Sequence, residues 1–298
     1  MRAVVVHETG GVDVLRLEEI DRPEPADGEI LVRVSALSIN PIDWKFRQGL
    51  IPKELPAVLG SDASGTVEIS RAEGFGEGEE VFGFLSTGAY AEFGIALPTT
   101  LAHKPAHLSF EQAAALPVSA LTAWQALFDR GQLKAGQTVL ITGGAGGVGH
   151  MAVQLAKNAG ARVIATGSAR NREHVLGLGA DEYVAYDEQD LASTVADVDL
   201  AFDTVGGDTI AAALATVRPG GRLIVIAGAP PEQAAERGVD AQLLLMDADA
   251  VELERAAALV ADGVIKVDID SVLPLNEVQR AHAISESRRA RGKIVLTV

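Results

Sequence analysis

The chain of 298 residues contains no cysteine. Disulfides, Cys-bound zinc, iron–sulfur clusters and a thiol nucleophile are thereby excluded. Positive charge is also scarce: 25 Lys and Arg stand against 41 Asp and Glu, a formal net charge of −16. Nucleic acid and anionic membrane both demand a basic footprint, so neither is expected as a partner. No apolar run is fit to span a bilayer. Residues 137–156 lack Asp, Glu, Lys and Arg, but their glycines would break a spanning helix. The apolar run Val4-Val5-Val6 is too short for a secretory core and meets His7 and Glu8, so a cytoplasmic protein is expected.

What remains is ordinary for a globular enzyme, with 48% hydrophobic and 22% charged residues. The length holds one large or two ordinary domains. The first part reads as β-rich. Strand-like runs occupy 3–6, 14–18, 29–36, 58–69 and 80–84, with breakers such as Asp27-Gly28 and the turn-rich stretch 74–79 between them. Short strands with frequent turns predict a compact barrel-like domain. Past Leu108 the character changes. Ser109 and Gln112 fit a capping box, and 122–129 reads as a helix. Strands at 138–142, 162–166, 183–185, 200–204 and 222–227 then alternate with helices at 148–159, 171–178, 191–195 and 210–217, with Gly220-Gly221 as the turn into the fifth strand. That alternation predicts a doubly wound parallel sheet. The tail offers a helix at 251–261 and strands at 264–269 and 294–298, the last of which could close the first domain.

The most informative stretch is Thr138-Val139-Leu140-Ile141-Thr142-Gly143-Gly144-Ala145-Gly146-Gly147-Val148-Gly149. Gly144, Gly146 and Gly149 satisfy G-x-G-x-x-G, with a strand before and a helix after. One glycine permits the tight turn, the next lets backbone approach a pyrophosphate, and the last lets helix and strand pack closely. The helix start then offers N–H groups and partial positive charge to phosphates. A dinucleotide is the expected ligand.

Sites for NAD place an acid at the end of the second strand, about 20 residues past the glycines. Here that strand, 162–166, runs into Gly167-Ser168-Ala169-Arg170-Asn171-Arg172, and no acid appears before Glu173. A hydroxyl and two guanidinium groups suit a 2′-phosphate. The expected cofactor is therefore NADPH, although Arg170 and Arg172 also read as solvated residues at a helix start.

Reducing an ordinary carbonyl calls for a group that stabilises the developing alkoxide, often zinc. The six histidines, His7, His103, His107, His150, His174 and His282, contain no H-E-x-x-H pairing and read as surface groups. No metal site is expected. A Tyr-x-x-x-Lys pair is missing too, since Tyr90, Tyr183 and Tyr186 are followed four residues on by Gly94, Asp187 and Asp190. Acceptors that delocalise the incoming charge fit best: quinones and α,β-unsaturated carbonyls need only a modest donor.

These residues carry a family resemblance along essentially the whole chain. Ser38-Ile39-Asn40-Pro41-Ile42-Asp43, Leu59-Gly60-Ser61-Asp62-Ala63-Ser64-Gly65, Gly88-Ala89-Tyr90-Ala91-Glu92, Ala120-Leu121-Thr122-Ala123-Trp124, the glycine turn, Gly179-Ala180-Asp181, Phe202-Asp203-Thr204-Val205-Gly206 and residues 292–296 resemble the zinc-free quinone oxidoreductase (ζ-crystallin-like) branch of the medium-chain dehydrogenase/reductase superfamily, close to the enone and alkenal reductases. Zinc-bearing relatives have Gly-His-Glu where this chain has Gly60-Ser61-Asp62.

The resemblance implies an α/β chain with a GroES-like β-barrel domain, 1–118 completed by the tail 253–298, and a Rossmann domain, 119–252. It implies an active site in the cleft, and a homodimer through the sixth Rossmann strand near 242–246. It implies a zinc-independent, NADPH-dependent reductase of a quinone or enone. Alternatives are a 2-enoyl-thioester reductase and an NADPH-binding sensor or structural protein with little turnover. Asn40 and Lys45 are the implied catalytic residues, neither with an evident structural need for its polar head. Lys45 stands where quinone reductases tend to have Tyr and resembles the Asp-x-Lys of enone reductases; it also reads as a solvated helix lysine. Asp43 reads as a helix cap. The implied cofactor neighbours are Thr122, Gly144, Gly146, Gly147, Val148, Gly149, Ser168, Arg170, Arg172, Tyr186, Val205 and Ala227. Asn171 replaces the familiar Lys of the phosphate site.

Overall fold

The computed structural model describes residues 1–298 and divides into two compact units. The first comprises Met1–Val118, Ala248–Ala261 and Val267–Val298; the second comprises Ser119–Asp247 and Asp262–Lys266. No helix is long and apolar enough to cross a membrane.

The first unit begins with β1 (Arg2–Val6), β2 (Arg16–Glu19), β3 (Ile30–Ile39), α1 (Pro41–Arg47), β4 (Ala57–Val58), β5 (Asp62–Ser70), β6 (Glu80–Phe84), β7 (Phe93–Ala96), β8 (Leu101–His103) and α2 (Phe110–Ala114). Helix α2 starts on the expected capping box: Ser109 Oγ accepts from Gln112 N–H, and Gln112 Oε1 from Ser109 N–H. One apolar run, 58–69, is two strands in the structure. Residues 59–61 leave the ladder because the Leu59 and Ser61 carbonyls accept from Ala89, Tyr90 and Leu85 on a neighbouring loop.

Next come α3 (Pro117–Trp124), which continues as a π-helical turn over Gln125–Arg130, then β9 (Thr138–Ile141), α4 (Gly149–Asn158), β10 (Arg162–Gly167), α5 (Arg172–Gly177), β11 (Glu182–Ala185), α6 (Leu191–Thr194), β12 (Val198–Asp203), α7 (Asp208–Thr216), β13 (Val217–Val225), α8 (Gln233–Glu236) and β14 (Asp240–Leu243). The tail supplies α9 (Ala250–Ala261), β15 (Ile269–Pro274), α10 (Val278–Glu286) and β16 (Lys293–Thr297).

In the second unit six parallel strands follow the order β11-β10-β9-β12-β13-β14. Val139, Leu140, Ile141, Val163, Ala165, Phe202 and Ile224 are fully buried, as expected of a parallel sheet covered on both faces. Gly220 and Gly221 lie inside β13, where the pairing with β12 jumps from Val217 to Arg222. The chain winds outward from β9 through β10 and β11, then returns to the other side of β9 for β12. That reversal is the switch point at which open α/β sheets bind ligands.

In the first unit β16 pairs with the end of β3, β7 with its beginning, and β5 along it. Their inward residues, Val32, Leu37, Ile39, Ala63, Val67 and Leu296 among them, form one apolar core. The tail strand thus closes the first unit. The expected strand at 264–269 does not form; the strand is β15, five residues later. The Gln154 side chain instead takes both backbone groups of Lys266, accepting from its N–H at 2.8 Å and donating to its carbonyl at 3.1 Å. A ladder partner is therefore not needed. Helix α10 was not expected: its buried stripe Val278-Ala281-His282 ends on a polar residue.

Candidate active site

The glycine turn sits at the carboxyl end of β9. Gly143 adopts φ +64°, and its carbonyl accepts from Gly146 N–H at 2.9 Å. A Cβ on Gly149 would lie 2.1 Å from that same carbonyl oxygen, so only glycine lets α4 start so close to the strand. A Cβ on Gly144 would meet Ala165 Cβ at 2.9 Å. Gly146 differs: the only neighbour within 4 Å of its would-be Cβ is the Gly143 carbonyl oxygen, at 3.3 Å. Backbone is exposed there to an approaching group. The first amides of α4 have no intrahelical partner, as at any helix start. A pyrophosphate fits this cradle. Beneath it His150 is fully buried, not a surface residue, and its Nδ1–H donates to the Gly146 carbonyl at 2.9 Å, pinning the turn.

Val205 and Ala227 belong to the same crevice. Buried Asp203 shapes the turn after β12: its carboxylate accepts from Thr142 Oγ1 at 2.9 Å, Gly206 N–H at 2.7 Å and Val205 N–H at 3.2 Å. Gly206, at φ +84°, presses against the Ala227 carbonyl, and Val205 Cγ2 lies 3.0 Å from a would-be Cβ on Gly143. Thr122 is buried in α3.

At the end of β10, Ser168 is half-buried, Arg170 exposed and Tyr186 68% exposed. Arg172 is committed within the protein. Its Nη2 contacts Glu188 at 2.5 Å, and its guanidinium lies 5.6 Å from the Tyr183 ring centre. Tyr183 OH donates to the Ser168 carbonyl at 2.7 Å; burial, with Tyr186 and Asp187 nearby, pushes that phenol up to about 12. Asn171 Nδ2 reaches Ser168 Oγ at 3.4 Å.

The first unit holds a second cluster, almost wholly buried. Asn40 precedes α1, and its N–H donates to Asp43 Oδ2 at 2.8 Å, the expected cap. The Asn40 amide, expected to lack a structural task, has one. Its Oδ1 accepts from Lys293 Nζ at 2.5 Å and its Nδ2 donates to Asp62 Oδ2 at 3.0 Å. Asp62 Oδ2 also accepts from Ser38 Oγ at 3.0 Å and stands 3.6 Å from Lys293 Nζ. Ammonium and carboxylate thus fix the orientation of the amide, because the flipped form would set N–H against ammonium. Burial pulls the Lys293 pKa down, while Asp62 and Asp43 pull it up.

Tyr90 OH donates to Asp43 Oδ2 at 2.8 Å and lies 3.1 Å from His282 Nε2. Burial pushes Asp43 up to about 6 and, helped by Arg47, pushes His282 down to about 3. His282 is therefore neutral and buried, again not a surface group. Lys45, half-buried on α1, has its pKa lowered by burial and then by Arg288. No three His, Asp or Glu side chains gather as metal ligands.

Sequence reasoning missed Asp62, Tyr90, His282 and Lys293 as members of one cluster. Residues 292–296 stood out, but nothing local marked Lys293 as a partner of Asn40.

Known proteins resemble this chain throughout. Residues 26–106 match the alcohol dehydrogenase GroES-like domain, and 178–296 the zinc-binding dehydrogenase family. The chloroplast envelope quinone oxidoreductase homolog of Arabidopsis thaliana is 34% identical, over 96% of this chain and 95% of its own. The chloroplastic NADPH-dependent alkenal/one oxidoreductase of the same plant is 32% identical, over 99% and 79%. The solved structure of Escherichia coli quinone oxidoreductase complexed with NADPH is 32% identical, covers both chains fully and superposes with a TM-score of 0.94.

Proposed function

Because the chain belongs to the quinone oxidoreductase family of the medium-chain dehydrogenase/reductase superfamily, we propose that it is a zinc-independent, NADPH-dependent reductase of quinones or α,β-unsaturated carbonyl compounds. The glycine turn at the switch point of the second unit carries this reading. Gly149 admits no side chain, and Gly146 leaves its backbone open to a pyrophosphate.

Gly144, Gly146, Gly147, Val148 and Gly149 would hold the pyrophosphate. Ser168, Tyr186 and Arg170, with Arg172 behind them, would face the 2′-phosphate; Val205, Ala227 and Thr122 would line the remainder. When bound, NADPH supplies the hydride. The protein's own task is then to stabilise negative charge growing on the acceptor oxygen and to let a proton in, which water can deliver. Asn40 and Lys45 are the proposed donors. One Nδ2–H of Asn40 is spent on Asp62; the other is the donor offered to the acceptor. Lys45, partly stripped of water, offers an ammonium. Donors held in place before the reaction act more strongly on the transition state than on the ground state.

The exposed edge strand β14, followed by exposed Leu245, supports a homodimer through that edge.

Kinetics of Asn40→Ala and Lys45→Ala beside a fluorescence titration of NADPH test the assignment. Turnover should fall about a hundredfold, near 3 kcal/mol, with NADPH affinity little changed. Affinity falling in step with turnover would make either residue a cofactor clamp. Unchanged turnover would remove both from the mechanism.

A further inference from the structure

The second strand of the parallel sheet brings no carboxylate to its end, yet the fold delivers one from elsewhere. Beyond β11 the chain keeps close to β10: Tyr186 N–H donates to the Gly167 carbonyl at 3.1 Å. The next residue, Asp187, sets its Oδ1 2.8 Å from the Ala169 N–H. An exposed carboxylate is thereby fixed one residue past Ser168, where the second strand of an NAD-binding sheet usually presents its own acid. Glu188 follows and takes up the Arg172 guanidinium at 2.5 Å. Of the two carboxylates, Glu188 is thus taken by Arg172, and Asp187 is held by backbone.

We propose that Asp187 is a specificity-determining residue of the dinucleotide site: its carboxylate accepts from the ribose 2′-hydroxyl of NADH and repels the 2′-phosphate of NADPH. The proposal rests on the dinucleotide reading of the second unit and deepens it. The preference for NADPH that Ser168, Arg170 and Tyr186 create is narrowed by this one charge, and NADH remains usable. A search along β10 alone cannot find the residue, because its place is set by the pairing of β11 with β10, register Gly167 to Ala185.

The test is Asp187→Asn, which keeps an oxygen to accept from the Ala169 N–H but removes the charge and turns the second carboxylate oxygen, the acceptor for the 2′-hydroxyl, into an NH2 donor. Dissociation constants for NADPH and NADH are measured by fluorescence titration, and kcat/KM for each with one common acceptor. The preference for NADPH over NADH should rise about tenfold, with NADPH binding tighter and NADH weaker, and the change should shrink at high salt. A ratio within twofold of the unsubstituted protein overturns the proposal. NADH affinity that survives the substitution also overturns it, since the carboxylate would then not touch the ribose. Failure of the underlying reading looks different: the unsubstituted protein binds neither dinucleotide.

Discussion

Lys293→Met is the sharpest perturbation of the buried cluster. The ammonium donates to Asn40 Oδ1 at 2.5 Å and forms an ion pair with Asp62 at 3.6 Å, with both Lys293 and Asp62 out of solvent. Methionine nearly matches its length, so packing is kept while the charge disappears. Asp62 is then a buried carboxylate without its cation. Removing one partner of a buried pair costs about 3–5 kcal/mol. Asp62 still accepts from Ser38, Asn40, Ser61 and the Val118 N–H, so the lower end, about 3 kcal/mol, is expected. Function should suffer separately. With nothing holding Oδ1, the Asn40 amide is tethered only through its Nδ2–H to Asp62, its position is less sharply fixed, and turnover should fall about tenfold, equivalent to 1.4 kcal/mol, while NADPH affinity holds. Denaturant unfolding, steady-state kinetics and NADPH titration read these quantities. The double variant with Asp62→Asn should recover most of the stability, because no lone charge remains. Strict additivity of the two substitutions, or a fully active Lys293→Met, would refute the clamp.

Two opposed titrations should shape stability in acid. The folded His282 pKa, about 3, lies below the ordinary 6.5, so the unfolded chain binds the extra proton and stability is lost as pH falls. Asp43, at about 6 against 3.8, acts in reverse: its contribution is complete below 3.8 and vanishes as pH rises through 6. Between pH 7 and 4 these amount to a loss of about 3 and a gain of about 2 kcal/mol. Denaturant unfolding at both pH values should show His282→Gln losing less stability on acidification than the unsubstituted protein and Asp43→Asn losing more. Matching losses in all three would show that neither group is perturbed.

The parallel sheet and its glycine turn were legible because their causes are local. Val139, Leu140 and Ile141 form an apolar strand; Gly146 and Gly149 answer the Gly143 carbonyl a few residues away, and Gly143 and Gly144 answer side chains on or just after the adjoining strands. Most of the cluster around Asn40 had no local signature. Lys293 lies 253 residues from Asn40, and His282 lies 192 from Tyr90. Each alone reads as a surface polar group; only the pairing of β16 with β3 brings Lys293 to the end of the strand that immediately precedes Asn40. Asp187 escaped for the same reason, as its position depends on strand pairing. Only Asp43 could be read locally, because a cap joins residues three apart. The missed helix α10 and the misplaced β15 show tertiary partners overriding pattern: a buried histidine replaces an apolar residue in the first, and Gln154 satisfies the backbone preceding the second.

The most direct measurement is the rate of NADPH oxidation by the purified protein against a panel of quinones, enones and simple unconjugated ketones. Steady turnover with quinones or enones and none with the ketones is the predicted result, since only conjugated acceptors delocalise the charge that Asn40 and Lys45 would meet. Tight NADPH binding without turnover of any conjugated acceptor, or equal turnover of simple ketones, would contradict it.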